Sequence, residues 1–419
     1  MQAEILNVGT ELLLGGVANA NAARIGRWLA GLGVDVYRQV AVGDNPVRLA
    51  NAFRRARQEA DVVVVTGGLG PTQDDITREV VASELGLPLE EDAEARRVVE
   101  GFFARRGAPV PPSALRQAVI PRGARVIPNP TGTAPGLIVE CGAGTAILLP
   151  GPPAEVEPML ADAARFLLAR LAARGEAGTV IASRAFKVAE AGESEVESRI
   201  ADLLAQANPT FATLAYPGEV HVRVTVKAPK AAEADGLLGE AEGAVRRRLG
   251  DLVFAVDEKT LEDAVGQLLC DRKLTIAVAE SCTAGLLAYR LTRVAGSSAY
   301  FIMGVASYAN RAKTAVLGVS EESLAACGAV SPEVACEMAA GVRTLAAADL
   351  GVGITGVAGP AGGTAQKPVG LVYVAIADAA GAAATALHLH GDRETVRQRA
   401  AQAALAMLRR WILARPAAE

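Results

Sequence analysis

Short apolar runs and amphipathic stretches take turns along the first 174 residues. Residues 4–8 read as a strand, 21–32 as a helix, 34–42 as a strand and 46–60 as a helix. Residues 61–66 carry four consecutive valines with no polar alternation, the pattern of a strand buried on both faces of a parallel sheet. A helix is predicted to open near Asp75, strands follow at 136–140 and 145–149, and a helix runs over 154–174. This βα rhythm predicts an α/β domain with a mostly parallel sheet.

The rhythm changes after a linker at residues 175–178. A strand at 180–188, a helix at 193–206, strands at 210–215 and 219–227 and a helix at 231–249 predict a small α+β module of βαββα order, ending near Val256. A second layered α/β domain then begins with a helix at 261–272 and a strand at 274–279 that runs into Glu280-Ser281-Cys282-Thr283. Strands at 350–355 and 370–377 and a closing helix at 393–413 complete it. The apolar tract 371–389 is interrupted by Asp378 and Gly381, so it reads as two strands around a turn, not a membrane span.

Composition narrows the class. A chain of 419 residues exceeds one ordinary core, and 51% hydrophobic against 21% charged residues predicts globular domains. The net charge of -4 gives no sign of a nucleic-acid partner. The arginine runs Arg54-Arg55 and Arg246-Arg247-Arg248 lie on predicted helices with acidic neighbours and read as solvated faces. Five widely spaced cysteines without a CxxC fit a reducing cytoplasm, and the N-terminus lacks the basic start of a signal peptide.

The candidate chemistry starts with a loop. Thr66-Gly67-Gly68-Leu69-Gly70-Pro71-Thr72 follows the valine strand, and Asp74 and Asp75 stand at the expected helix start. Glycines let backbone N–H groups converge on an anion, and a carboxylate beside them can hold a divalent metal that bridges a phosphate. A plain turn with an aspartate cap is the alternative. Thr355-Gly356-Val357-Ala358-Gly359-Pro360, followed by Gly362-Gly363, repeats the same spacing after another apolar strand. Gly9-Thr10-Glu11, with Asn19 and Asn21, is a weaker companion in which the asparagines serve equally well as helix caps.

The nucleophile candidates are Ser281 and Ser298, with Tyr308 and Lys313 downstream. The three histidines, His221, His388 and His390, lie far from both serines in sequence, so a Ser-His-Asp triad is not expected and a Ser/Lys pair remains. A lysine acts as base only when desolvated or placed near another cation. Cys282, with no histidine beside it to activate it, ranks below the serines. His388 and His390 alternate on a predicted strand and read as a surface pair. Arg393, at a predicted helix start where the dipole disfavours a cation, is a candidate phosphate ligand.

Along nearly its whole length the chain resembles the CinA family (competence/damage-inducible protein A). The likeness rests on Gly9-Thr-Glu-Leu-Leu-Leu-Gly15, the Thr66–Asp75 loop, Gly132-Thr-Ala-Pro-Gly136 and Leu149-Pro-Gly-Pro-Pro153 in the first part. In the last part it rests on Ala279 to Thr283, Ala295 to Ser298, Tyr308 to Lys313, Gly356 to Gly363 with Lys367-Pro-Val-Gly370, and Gly391-Asp-Arg393. The resemblance implies three domains: a molybdopterin-binding-like α/β sandwich at 1–174, a KH-like α+β module at 175–256, and an α/β layered nicotinamide-nucleotide amidase domain at 257–419. It implies a cytoplasmic, dimeric enzyme of pyridine-nucleotide metabolism. The last domain would deamidate nicotinamide mononucleotide to the nicotinate form with Ser298 as nucleophile, Lys313 as base, Tyr308 in support and Ser281 orienting the substrate. Arg393 would hold the phosphate, and no cofactor would be needed. The first domain would hydrolyse ADP-ribose to AMP and ribose 5-phosphate with a divalent metal on Asp74 and Asp75. Two other readings stay open: a domain that only binds a pterin or nucleotide, and a competence-linked interaction protein. Gly192-Glu193-Ser194-Glu195, with one glycine and two acids, argues against the KH-type clamp of a nucleic-acid backbone. The chain departs from the family where Ala284 replaces the first of two glycines after Thr283, and at Gln73 and Ala20.

Overall fold

The computed structural model describes residues 1–142 and 144–415. Contacts divide the chain into two compact units, Met1–Ser183 with Thr225–Gly239, and Arg184–Val224 with Glu240–Glu419. The division runs through the middle module.

The first sheet is mixed. Its strands are β1 (Gln2–Val8), β2 (Asp35–Val42) and β3 (Val62–Thr66), and, beyond a small β4 (Leu89–Glu91) and β5 (Val119–Pro121) pair, β6 (Arg125–Ile127), β7 (Gly136–Cys141) and β8 (Gly144–Leu149). The order is β2-β1-β3-β8-β7-β6, parallel from β2 to β8 and antiparallel at β7 and β6. The valine strand is central and wholly buried, as its lack of polar alternation requires. Val63 and Val65 face Leu49, Phe53, Val80 and Val81, while Val62 and Val64 face Ile25, Leu29, Val156 and Met159. Side chains alternate across a strand, so one apolar run closes two cores. The helix Ala93–Arg105 and the small strands between residues 89 and 127 escaped the sequence pattern.

The middle sheet has the order β10-β11-β9-β12, from β9 (Val180–Ala189), β10 (Thr210–Tyr216), β11 (Glu219–Ala228) and β12 (Val253–Val256). The helix expected over 193–206 breaks at Ile200 into Glu193–Arg199 and Ala201–Leu204. Arg54 pairs with Glu84, Arg246 with Glu242 and Arg248 with Asp202, so the arginine runs have acidic partners.

The last sheet contains β13 (Ile276–Glu280), β14 (Phe301–Ala306), β15 (Leu350–Gly356), β16 (Leu371–Asp378) and β17 (Gly381–His388), in the order β14-β13-β15-β16-β17. β13 is parallel to both neighbours, and the β16–β17 hairpin adds antiparallel strands. Ile276 and Val278 face the core under the helices Leu261–Asp271 and Arg393–Leu413. Ala277 and Ala279 face Val334, Met338 and Val342 of the helix Pro332–Ala346 on the other side. β14 and three helices between residues 310 and 346 were not expected from periodicity. His388 ends β17 and His390 lies beyond it, so the two do not share a strand face. No helix among the described residues is long and apolar enough to cross a membrane.

Candidate functional site

The strongest chemical constellation sits at the carboxyl end of β13. Ser281 comes directly after the buried strand, and its backbone N–H donates to the Ile354 carbonyl of β15. The serine is thereby fixed at the sheet edge. Glu280, 1% exposed, accepts from the N–H groups of Gly285, Leu287 and Ala288. That carboxylate caps the helix Leu286–Thr292 from inside the strand and shapes the intervening turn. The turn requires Ala284 at φ 51, a left-handed conformation that costs an L-residue roughly 1–2 kcal/mol. This is where the family pattern has glycine.

Lys313 enters from the helix Asn310–Leu317 and is 1% exposed. Its Nζ lies 3.0 Å from Ser281 Oγ and donates to the carbonyls of Ser307 (2.7 Å) and Tyr308 (3.3 Å). Burial pushes its pKa below that of an ordinary lysine. Two N–H bonds are taken by carbonyls, so the remaining direction on the nitrogen points at Ser281. A neutral lysine in this setting presents its lone pair to the serine hydroxyl.

Ser298 is not brought to Lys313 within the chain. It is exposed, in the turn Ser297–Ala299 that precedes β14. β14 runs parallel to β13, with Phe301 beside Ile276 and Ala306 beside Glu280. Ser298 thus sits at the amino end of these strands and Ser281 at the carboxyl end. A strand of this length separates them by roughly 16 Å or more. The expectation that Ser298 pairs with Lys313 is corrected to Ser281. In a parallel sheet, a residue just before one strand and a residue just after its neighbour lie at opposite edges.

Tyr308 supports the lysine through its backbone carbonyl, and its hydroxyl accepts instead from Arg393 Nη2 at 2.8 Å. Arg393 Nη1 donates to the Gly359 carbonyl at 2.7 Å. One guanidinium thus ties Tyr308 to the glycine loop. Thr355 is 1% exposed and its hydroxyl donates to the Ala329 carbonyl, while Gly356 is still inside β15. Gly362 and Gly363 are exposed in the loop beyond. Arg397 Nη2 donates to the Thr283 carbonyl. The hydroxyls of Thr283 and Ser307 are buried without a partner. Cys282 is also buried, and its thiol is pushed up to about 11, chiefly by desolvation, so it is no thiolate near neutrality. Glu280, Ser307 and Arg397 carried no signal in periodicity; Glu280 merely adjoined the serine.

The second constellation is the loop after β3. Thr66 donates its hydroxyl to the Pro150 carbonyl and accepts from Asn21 Nδ2, which also donates to the Gly151 carbonyl. Asn21 therefore joins two strand ends, whereas Asn19 is the cap, accepting from Ala22 N–H. Glu11 is exposed on a single helical turn and folds over Gly9. The helix starts at Thr77, two residues beyond Asp75. Asp75 does not cap it: its carboxylate accepts from the N–H and hydroxyl of Thr72, which also bonds Asp74. The first helical N–H, from Thr77, is spent on the Gly68 carbonyl. Gly70 passes so close to the Asp75 carboxylate that a Cβ there would displace it, and Pro71 comes next.

Among the described residues no three His, Cys, Asp or Glu side chains cluster to hold a metal unaided. Two aspartates beside a glycine loop instead offer the oxygen donors that a hard divalent cation takes when it completes its shell with water and other oxygens.

Three family models match the chain in succession: a probable molybdopterin binding domain over residues 4–170, the damage-inducible protein CinA KH domain over 183–255, and the CinA C-terminal domain over 258–412. A putative competence-damage inducible protein of Moorella thermoacetica is 50% identical over 415 residues, covering 99% of both chains. A CinA-like protein of Desulfovibrio desulfuricans is 49% identical across 99% of this chain and 97% of its own. The crystal structure of the protein CinA from Thermoplasma acidophilum is 39% identical over 40% of this chain and 99% of its own, with a TM-score of 0.38. With half its residues shared end to end with such a relative, this chain belongs to the competence-damage inducible protein (CinA) family.

Proposed function

We propose that the C-terminal domain is a serine amidase that converts nicotinamide mononucleotide to nicotinate mononucleotide and ammonia, with Ser281 as nucleophile and Lys313 as base. The observation that carries this reading is the buried Lys313 Nζ at 3.0 Å from Ser281 Oγ, with two carbonyls fixing its other bonds. Ser281 Oγ attacks the carboxamide carbon and its proton passes to Lys313. The tetrahedral adduct collapses as Lys313 returns that proton to the departing nitrogen, releasing ammonia and leaving a nicotinoyl ester on Ser281. Water, deprotonated by Lys313, then cleaves the ester. Arg393 keeps Tyr308 and the Gly359 loop together and has further N–H donors for the substrate phosphate. The test is ammonia release by purified variants. Ser281→Ala should lose activity by at least about a thousandfold, and Ser298→Ala should stay near wild type. The reverse outcome moves the nucleophile to Ser298.

For the N-terminal domain the reading is a metal-assisted ADP-ribose pyrophosphatase, supported by the glycine loop and the paired Asp74 and Asp75. A divalent cation there would offset charge growing on the phosphate oxygens.

A further inference from the structure

The loop Gly67–Gly70 is held from behind at three successive carbonyls. Gly67 O accepts from the Thr77 hydroxyl, Gly68 O from Thr77 N–H, and Leu69 O from both Arg78 Nη1 and Gln117 Nε2. In a trans peptide the C=O and the following N–H point in opposite directions. Drawing these carbonyls toward the helix Thr77–Leu85 therefore turns the N–H groups of Gly68, Leu69 and Gly70 away from it. None of the three meets a backbone acceptor among the described residues.

Arg78 is the unusual member of this clamp. It is 1% exposed, the largest of the fully buried side chains, and its Nε and Nη2 have no hydrogen-bond partner. The nearest carboxylate oxygen is Glu79 Oε1, 3.7 Å from Nη2 and shared with Arg116. Gln117 is 0% exposed and its Oε1 is also unpartnered. A guanidinium buried against one shared carboxylate, with Asp75 adding attraction at longer range, still costs free energy of desolvation that a methionine of similar length would not. A single carbonyl does not need a cation to hold it, because Gln117 already bonds the same oxygen. What the cation adds is positive potential under a row of N–H groups turned away from the helix, which an anion on their far side would feel strongly in a medium of low dielectric.

We propose that Arg78 and Gln117 are positioning residues for a pyrophosphate-bearing ligand, fixing the loop so that the N–H groups of residues 68–70 face its anionic oxygens. The proposal rests on the pyrophosphatase reading of this domain. It assigns the specificity for two linked phosphates to backbone donors backed by one buried charge, with the exposed Asp74 and the half-buried Asp75 beside them for the cation.

The experiment uses the intact protein, with inorganic pyrophosphate as probe by calorimetry and as inhibitor of ADP-ribose hydrolysis. Arg78→Met should melt no lower than wild type, because a buried charge is gone, yet bind pyrophosphate at least tenfold more weakly. The salt dependence of binding should flatten, and KM for ADP-ribose should rise more than kcat falls. Gln117→Leu keeps the charge and removes the second holder of Leu69, so it should weaken binding less and leave the salt dependence intact. The melting transition and far-ultraviolet circular dichroism serve as the folding control for the substituted domain, and amidase activity as the control for the rest of the chain. If both variants bind pyrophosphate as wild type does, the positioning role is overturned while the pyrophosphatase stands. If Arg78→Met unfolds and Gln117→Leu changes nothing, the clamp is structural and the proposal also fails. If wild type neither hydrolyses ADP-ribose nor binds pyrophosphate, the underlying reading falls with it.

Discussion

Two loops of this chain spell Thr-Gly-x-x-Gly-Pro at identical spacing, and the fold uses their backbones differently. After Thr66 both neighbouring strands are parallel and end at the same level, with Asn7 on one side and Leu149 on the other. The chain leaves the sheet at Gly67, φ 101, and its next carbonyls are clamped by Thr77, Arg78 and Gln117. After Thr355 one neighbour is antiparallel and continues along the strand. Gly356 still pairs with Val372, Val357 N–H donates to Leu371 and Gly370 N–H to Val357. The second loop therefore spends backbone groups on the sheet and gives Gly359 O to Arg393. Strand direction, which six letters do not encode, decides how much of the backbone such a loop spends on its sheet: Val357 N–H is bonded there, whereas its counterpart Gly68 N–H is not. In the proposed functions one site is thus built from backbone, and the other from the Ser281 and Lys313 side chains.

That contrast sets the order of the tests. A side-chain site should fail at one substitution, so Lys313→Met should lower amidase turnover by about 10²–10⁴-fold without affecting ADP-ribose hydrolysis. The same lysine sets a pH dependence. Activity needs the neutral amine, so the rate should rise with pH, with its midpoint below the ordinary lysine range because burial lowers the pKa. The sign for stability agrees: between the lowered folded value and the ordinary unfolded value the unfolded chain binds more protons, so this group's penalty on folding fades as pH rises. A pH profile that is unchanged in Lys313→Met would break the assignment.

The backbone site should respond first to its cation-facing carboxylates. Asp75→Asn should cut ADP-ribose hydrolysis by about a hundredfold if a divalent ion is held there, chelator should do the same to wild type, and ammonia release should be untouched. Nucleotide binding without AMP formation under any divalent ion would leave a binding domain in place of an enzyme. The smallest effect is on stability. Gly67→Ala would place a Cβ against the Val8 carbonyl at a φ that L-residues avoid, a backbone cost of about 1–3 kcal/mol. Gly359→Ala shares the unfavourable φ, at 83, but its Cβ meets the movable Val369 side chain in place of backbone, so it should cost less in the same denaturant titration. Equal costs would erase the distinction between the loops.

Much of the frame was legible because its signals are local. The valine run foretold the central strand, and the lack of a usable histidine pointed to a Ser/Lys pair. Ala284, flagged as a departure in sequence, sits at a positive φ where a glycine would rest more easily. The strands β4 to β6 and β14 were not legible, being short or flanked by residues without clear alternation.

The sequence by itself determined which residue types are present, the two glycine loops and the family to which their order belongs. Only the tertiary structure decided which serine the lysine meets. Ser281 and Ser298 are equally plausible as letters, but parallel β13 and β14 carry them to opposite edges of one sheet, and Lys313 is buried at the edge of Ser281. Likewise nothing in the local pattern announced Arg78 as a loop clamp. Its meaning lies in the direction of a peptide plane and the loss of solvent around a charge, both set by packing between segments distant in sequence.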